Sequence, residues 1–341
     1  MTIQQKYLKW SLFTLLLILL VLAAALISIL SGEFDISLKD LPQIVASKEG
    51  IHYAVIAHIR LPRMLLAFAI GGALSLTGAI LQGIYRNPLV EPYTLGISGG
   101  AALGVALVIV LGLQYSIGTF MLPLAGFSAS VLSIFAVYFL SIRRGAIDIN
   151  RMLLIGVMVS FVASSSMMFL MSISTSDNLQ NIVFWMMGSL EESNTFLIKA
   201  MVWASLSGLL ISYFFARPLN ALRLGQEKAR HLGIHTTVSI RILFVVASLL
   251  TGICVAVAGI IGFVGLVIPH LIRMIIGSDY RILLIGSFLG GSLFLMISDI
   301  IARTIIAPNE LPIGVITGMA GGLVFITILA RAGLKNKLNH L

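Results

Sequence analysis

Arg60-Leu-Pro-Arg63 sits at the lip of a long apolar run, and Asp299 and Arg303 stand four residues apart at the end of another. A guanidinium fork binds a carboxylate through two parallel, charge-assisted hydrogen bonds. Arg60, Arg63 and Arg303 could therefore hold carboxylate groups. The plainer alternatives are snorkelling anchorage at a membrane surface or, for Arg303, an i,i+4 pair with Asp299 worth about a few tenths of a kcal/mol. Other constellations carry less chemistry. Gly96-Ile-Ser98-Gly-Gly100 is formally G-x-S-x-G, but a nucleophile elbow needs a strand-to-helix turn with His and acid partners. His270, after Pro269, has no nearby Cys, His or Asp to make a metal site and reads as a core or interface residue. Cys254 is the single cysteine, which excludes a disulfide framework and a cysteine metal site. The chain has no G-x-x-x-x-G-K-[ST], so it does not hydrolyse ATP by a P-loop itself.

The elements that position these residues are membrane spans. Of the 341 residues 59% are hydrophobic and 10% charged, against about a quarter charged in soluble domains. The net charge of +9 is carried in short segments between apolar runs, as orientation signals are, which argues against nucleic acid as a partner. Uncharged stretches run 10–32, 64–85, 92–142, 152–176, 200–216, 242–272, 282–298 and 311–330. A span needs about 20 apolar residues. The run 92–142 holds two spans divided near Gly112 to Gly118, and 242–272 is too long for one, so ten spans are expected. The first exceeds the apolar core of a signal peptide and stays in the membrane. With both termini cytoplasmic, 16 of the 22 Lys and Arg fall on the inner side, which favours this orientation over its reverse. Arg60, Arg63 and Arg303 are then outside.

Sliding the chain against itself by 181 residues pairs Arg60 with Arg241, Gly71 with Gly252, Gly78 with Gly259, Pro88 with Pro269 and Gly96 with Gly277. The shift carries span 2 onto span 7, five crossings later, so the second copy is upside down. The expected fold is all-α integral membrane, with an inverted repeat of spans 2–5 and 7–10, and such repeats mark transporters. Breaks are expected at Arg86-Asn87-Pro88 and at Ile268-Pro269-His270, with Gly259, Gly262 and Gly265 splitting helix 7 from a short helix 8. Gly71-Gly72-Ala73, Gly78-Ala79 and the 96–102 segment are small-residue helix contacts. An ion-coupled transporter is the rival reading, but spans 2 to 8 hold almost no carboxylates to couple to a gradient.

Two polar segments have more structure than connectors require. Residues 217–241 read as two short amphipathic helices, Asn220 to Gly225 and Gln226 to Gly233, each closed by a glycine. Residues 174–194 are too short an apolar pattern to cross and should form a helix along the outer mouth, with Trp185 at the interface.

Several strings together resemble the FecCD and vitamin B12-type permease family, the transmembrane subunits of type II ATP-binding-cassette importers for iron-siderophores, haem or cobalamin. They are Arg60-Leu-Pro-Arg63, Gly78-Ala-Ile-Leu-Gln82, Asn87-Pro-Leu89 through Pro92, Leu95-Gly-Ile97, Ser174-Thr-Ser176, Trp185-Met-Met-Gly188, Gly225 through Gly233, Gly262 through His270, Asp299-Ile-Ile-Ala-Arg303 and Glu310-Leu-Pro-Ile-Gly314. They cover roughly residues 58–333, in order.

The resemblance implies one permease domain over 1–341, paired with a second permease subunit as a homodimer or heterodimer in the bacterial cytoplasmic membrane. It implies two partner ATPases that use ATP and magnesium, and an extracytoplasmic substrate-binding protein. No cofactor is implied for this chain. The loop 217–240 would carry the coupling helices, with Leu222, Gly225, Glu227, Ala229, Leu232 and Gly233 matching; Gln226 stands where Glu is usual. Arg60, Arg63 and Arg303 would receive the binding protein's carboxylates. The path is expected along span 5 and the helix after it, through Ser164, Met168, Met171, Ser174, Thr175 and Ser176. Soft thioethers and small hydroxyls there suit weak contact with a bulky chelate, with helix packing as the alternative.

Overall fold

The computed structural model describes residues 2–32, 36–143, 146–306 and 309–338. In chain order the helices are α1 (Ile3–Leu30), α2 (Leu41–Ser47), α3 (Gly50–Val55), α4 (Leu61–Tyr85), α5 (Ile97–Val110), α6 (Leu113–Ser116), α7 (Met121–Ser141) and α8 (Ile149–Ser172). They continue as α9 (Ser176–Met187), α10 (Thr195–Phe214), α11 (Ala216–Leu222), α12 (Gln226–His231), α13 (Thr236–Ala258), α14 (Val264–Ile276), α15 (Tyr280–Thr304) and α16 (Ile313–Leu338). The remaining regular structure is slight: a π-helical turn at Ile56–Arg60, a 3-10 turn at Pro92–Leu95 and a two-residue antiparallel pairing of Ile142–Arg143 with Ala146–Ile147 beside α7. Seven helices are long and apolar enough to cross a membrane, and α5, α14 and the Ile313–Ile328 stretch of α16 add three shorter apolar ones. Together they make up the ten expected.

The bundle is organised around α4, which packs against α15, α10, α13 and α14. Its apolar stretch is 83% buried, against 17% for α8 at the periphery. Close approach rests on missing side chains. Gly71 of α4 lies against Gly291 of α15, and Gly78 lies against the Gly265 carbonyl of α14, so a Cβ at either would collide with backbone. This is how helices associate where lipid supplies no hydrophobic drive.

The inverted repeat is legible in helix lengths. Helices α4, α5, α7 and α8 have 25, 14, 21 and 24 residues, and α13, α14, α15 and α16 have 23, 13, 25 and 26. The short second helix of each set follows a break. The fixed shift of 181, however, holds only over α4 and α13. Pro88 lies in the first break, whereas Pro269 lies inside α14, and the second break is at Gly259 to Phe263. The expected break at Ile268-Pro269-His270 is thus corrected. Proline inside a helix strands the carbonyl four residues earlier, here that of Gly265. Gln82 of α4 donates its side-chain amide to the Gly265 and Leu266 carbonyls at 3.3 Å each, so α14 continues through the proline.

The two breaks also pin each other. The Tyr93 hydroxyl donates to the Ile261 carbonyl at 2.9 Å and accepts from the Ile261 N–H at 3.0 Å. Glu91 accepts from the backbone N–H of Phe263, and Pro92 packs on Gly265. Gly265 in turn faces Gly78, seven residues and about 10 Å along α4 from its end at Tyr85. The chain after α4 therefore folds back toward mid-depth and carries a carboxyl with it. That return puts Glu91 among the spanning helices although it lies outside every apolar run.

Candidate functional site

Two ends of the bundle carry the polar chemistry: the arginine end, with Arg60, Arg63 and Arg303, and the loop end, with α11 and α12. At the arginine end, Pro62 enters α4 at its first turn without an N–H to give. The turn before it, Ile56–Arg60, is wide, the Leu61 N–H reaching back to the Ile56 carbonyl. This geometry turns Arg60 and Arg63, three apart and on one face, into the chain. All three arginines are buried, at 3%, 6% and 8% exposure.

Their guanidinium groups are engaged from within. Arg60 donates to the carbonyls of Ile29 and Leu30 at 2.9 and 3.0 Å. Arg303 donates to the Ser31 and Ser28 carbonyls at 3.1 and 3.2 Å and to the Ser28 hydroxyl at 3.1 Å. These are the carbonyls that the end of α1 leaves without intrahelical partners, at its negative dipole end. Two arginines from other helices thus close the C-terminus of α1. Between Arg63 and Arg303 sits Asp299, fully buried, accepting from Arg63 Nε at 2.6 Å and from Arg303 Nε at 3.0 Å. Arg63 also pairs with Glu310 and lies 3.8 Å from Glu191. The i,i+4 pair weighed for Arg303 and Asp299 is present, inside a network that sequence spacing could not foresee.

Two acids stand at the open side of this network. The Glu191 side chain is 64% exposed and that of Glu310 38%. Burial pushes the Glu191 carboxyl up, a hydrogen bond with Glu310 adds to the rise, and Arg63 opposes it. A cavity of about 540 Å³ opens beside them, lined in part by Trp185, Glu191, Glu192 and Asn194. Helix α9 borders it, in the segment expected to lie along a membrane mouth.

At the loop end, α11 and α12 form the two short helices of 217–240. Gly225 and Gly233 take φ of 107° and 79°, values that favour glycine. Leu222 and Ala229 are buried anchors, whereas Glu227 and Gly233 are exposed and Gly225 is half-buried. Leu232 is 62% exposed and so is its neighbour across the turn, Leu224, at 58%. Leu224 was not among the sequence candidates; an apolar residue in a charged loop with no apolar face to join was the available signal. Helix α11 is fastened to the start of α15. Asn220 donates to Asp279 at 2.9 Å and accepts from the Tyr280 N–H at 3.0 Å, and Arg223 donates to the Ser278 carbonyl at 2.8 Å. Lys6 of α1 closes on Asp279 at 3.2 Å. Burial alone would push the Asp279 carboxyl up, but its hydrogen bonds from Asn220, the Arg281 N–H and Lys6 hold it below the ordinary value.

The path candidates lie along α8 and on the turn into α9. Ser164, Met168 and Met171 follow helical spacing on α8, with Met168 67% exposed on a helix that has little cover within one chain. Ser174 bonds the Leu170 carbonyl at 2.6 Å, Thr175 caps the N-terminus of α9, and Ser176 begins it. Gly96 and Gly100 pack on α8 and α7 at the start of a helix, without a strand-to-helix elbow. Among the described residues no cluster of His, Cys, Asp and Glu could hold a metal ion.

Comparison with known proteins supplies what geometry cannot. A permease protein of an ABC transporter from Bacillus subtilis (strain 168), itself uncharacterized, is 39% identical over 84% of this chain and 82% of its own length. The hemin transport system permease protein of Yersinia pestis is 38% identical, covering 93% of this chain and 94% of that protein. The vitamin B12 import system permease protein of Escherichia coli is 36% identical over 97% of each. Among solved structures, a transporter assigned to the metal-chelate ABC type, in an inward-facing conformation, superposes with a TM-score of 0.84 at 31% identity. It covers 93% of this chain and 98% of that one. These likenesses do not favour the ion-coupled alternative. The FecCD transport family model matches residues 17–331, and the chain belongs to that family as the multi-pass permease subunit of an ABC importer.

Proposed function

We propose that the chain imports a metal chelate, an iron-siderophore, haem or vitamin B12, across the bacterial cytoplasmic membrane. Two permease subunits enclose the path, two ATPases bind the loop end from the cytoplasm, and a binding protein delivers cargo at the arginine end. Both termini lie in the cytoplasm, the orientation that puts most of the chain's Lys and Arg inside.

The observation that carries this reading is the pair α11 and α12, which presents Leu224, Glu227 and Leu232 outward while Asn220 and Arg223 fasten it to α15. ATP-driven movement applied there is passed to α15 and from it to α4 as a rigid displacement. Two chains meeting along α8 would cover Ser164, Met168 and Met171 and make them walls of a conduit. In the reconstituted complex, Glu227→Ala with Leu232→Ala should leave ATP hydrolysis running and abolish uptake. Uptake at the unmodified rate rejects the assignment.

Docking at the arginine end proceeds by exchange. Arg60, Arg63 and Arg303 are satisfied inside the free chain, so carboxylates of the binding protein replace Glu310 and Glu191 at Arg63. Glu310→Gln, which keeps Arg63 and Asp299 in place, should tighten docking in a salt-sensitive way. Affinity that ignores both the substitution and ionic strength rules the exchange out.

A further inference from the structure

A cleft at the loop end shares only Arg223, which donates to the Ser278 carbonyl, with the reading above. It holds about 390 Å³ between the end of α4, the end of α14 and the start of α15, and Arg86, Arg223, Arg273 and His270 line it. None of the ion pairs among the described residues involves these three arginines. The neighbouring carboxylate, Asp279, is already matched by Lys6 and Asn220. His270 Nδ1 is buried there without a hydrogen-bond partner, and the Ser278 hydroxyl is at hand. Three positive charges with no acid between them repel one another, and a dianionic or monoanionic phosphate group would relieve that at once.

We propose that this cleft binds a phosphate group, supplied by the headgroup of an anionic phospholipid. Two features favour the lipid over free phosphate. The cleft lies where α4 and α14 end, the level of headgroups for a chain that spans the bilayer, and basic pockets between spanning helices are known to hold such groups. Its outer wall is apolar: Met274 lines it at 64% exposure, and Ile275 beside it is 56% exposed, a surface for acyl chains. The site would fix the start of α15, to which α11 is fastened, against the membrane surface.

The test is native mass spectrometry of the full-length permease released from nanodiscs of phosphatidylglycerol and phosphatidylcholine. Wild type should retain phosphatidylglycerol, and Arg86→Gln with Arg273→Gln should lower that retention about thirtyfold, near fivefold for each arginine. Ser278→Asp, which adds a negative charge to the cleft, should do the same and serves if the double variant does not fold. Millimolar inorganic phosphate that raises the thermal stability of wild type and not of the variants, without retained lipid, would support the phosphate site with the free ion as its source. Equal lipid retention in all three proteins, with no phosphate effect, overturns the proposal. So does loss of ATPase binding in the variants with lipid retention unchanged, which would assign the arginines to acidic groups of that partner.

Discussion

Asp299→Asn removes the charge on which two buried arginines converge while keeping the side chain's shape. Asp299 is fully buried, with Arg63 Nε at 2.6 Å and Arg303 Nε at 3.0 Å, and the two guanidiniums are themselves nearly enclosed. Taking one partner from a buried pair costs about 3–5 kcal/mol because the remaining charge is stranded. Here two are stranded. Arg303 keeps its bonds to Ser28 and Ser31 and Arg63 keeps Glu310, so the loss stays in that range and does not double. The assay is reversible unfolding in mixed micelles, followed by tryptophan fluorescence. Arg63→Met measured alone and combined with Asp299→Asn completes a double-mutant cycle, in which the coupling should be at least about 1 kcal/mol. A loss below about 1 kcal/mol for Asp299→Asn, the value of an exposed pair, with no coupling to Arg63, refutes the claim that this buried network ties α4 to α15.

Three further outcomes are expected. Gln82→Leu strands the Gly265 and Leu266 carbonyls and should cost about 1–3 kcal/mol in the same assay; adding Pro269→Ala, which returns an N–H to the Gly265 carbonyl, should recover part of it. Gly78→Val puts a side chain where the Gly265 carbonyl lies and should cost about 1–3 kcal/mol or more from overpacking, read as loss of monodisperse protein on size exclusion. Asp279, held below its ordinary value of 3.8, contributes stability that is full above that pH and is lost as pH falls through its lower folded value. Melting curves from pH 7 to pH 3 should therefore drop less steeply in Asp279→Ala than in wild type.

Apolar run lengths set the number of spans, and the glycines at 112 to 118 and 259 to 265 located the divisions within the two long runs. Helix number and the hairpin of α11 and α12 were legible because both follow from local composition: a span must satisfy its own backbone, and a capped short helix carries its glycine with it. The register of the repeat was not. Pro269 looks like a break in isolation, and only Gln82, 187 positions away in the chain, supplies the hydrogen bonds that let α14 run through it.

By itself the sequence determined that this is a membrane chain of ten spans, that arginines cluster at one end and a capped two-helix loop at the other, and which family it resembles. Only the tertiary structure decided where the arginines point and that Glu91 returns toward mid-depth. The reason is one of range. Spanning and capping are satisfied within a few residues, whereas a buried charge finds its counterion across the whole fold, as Arg63 finds Asp299 from the far repeat.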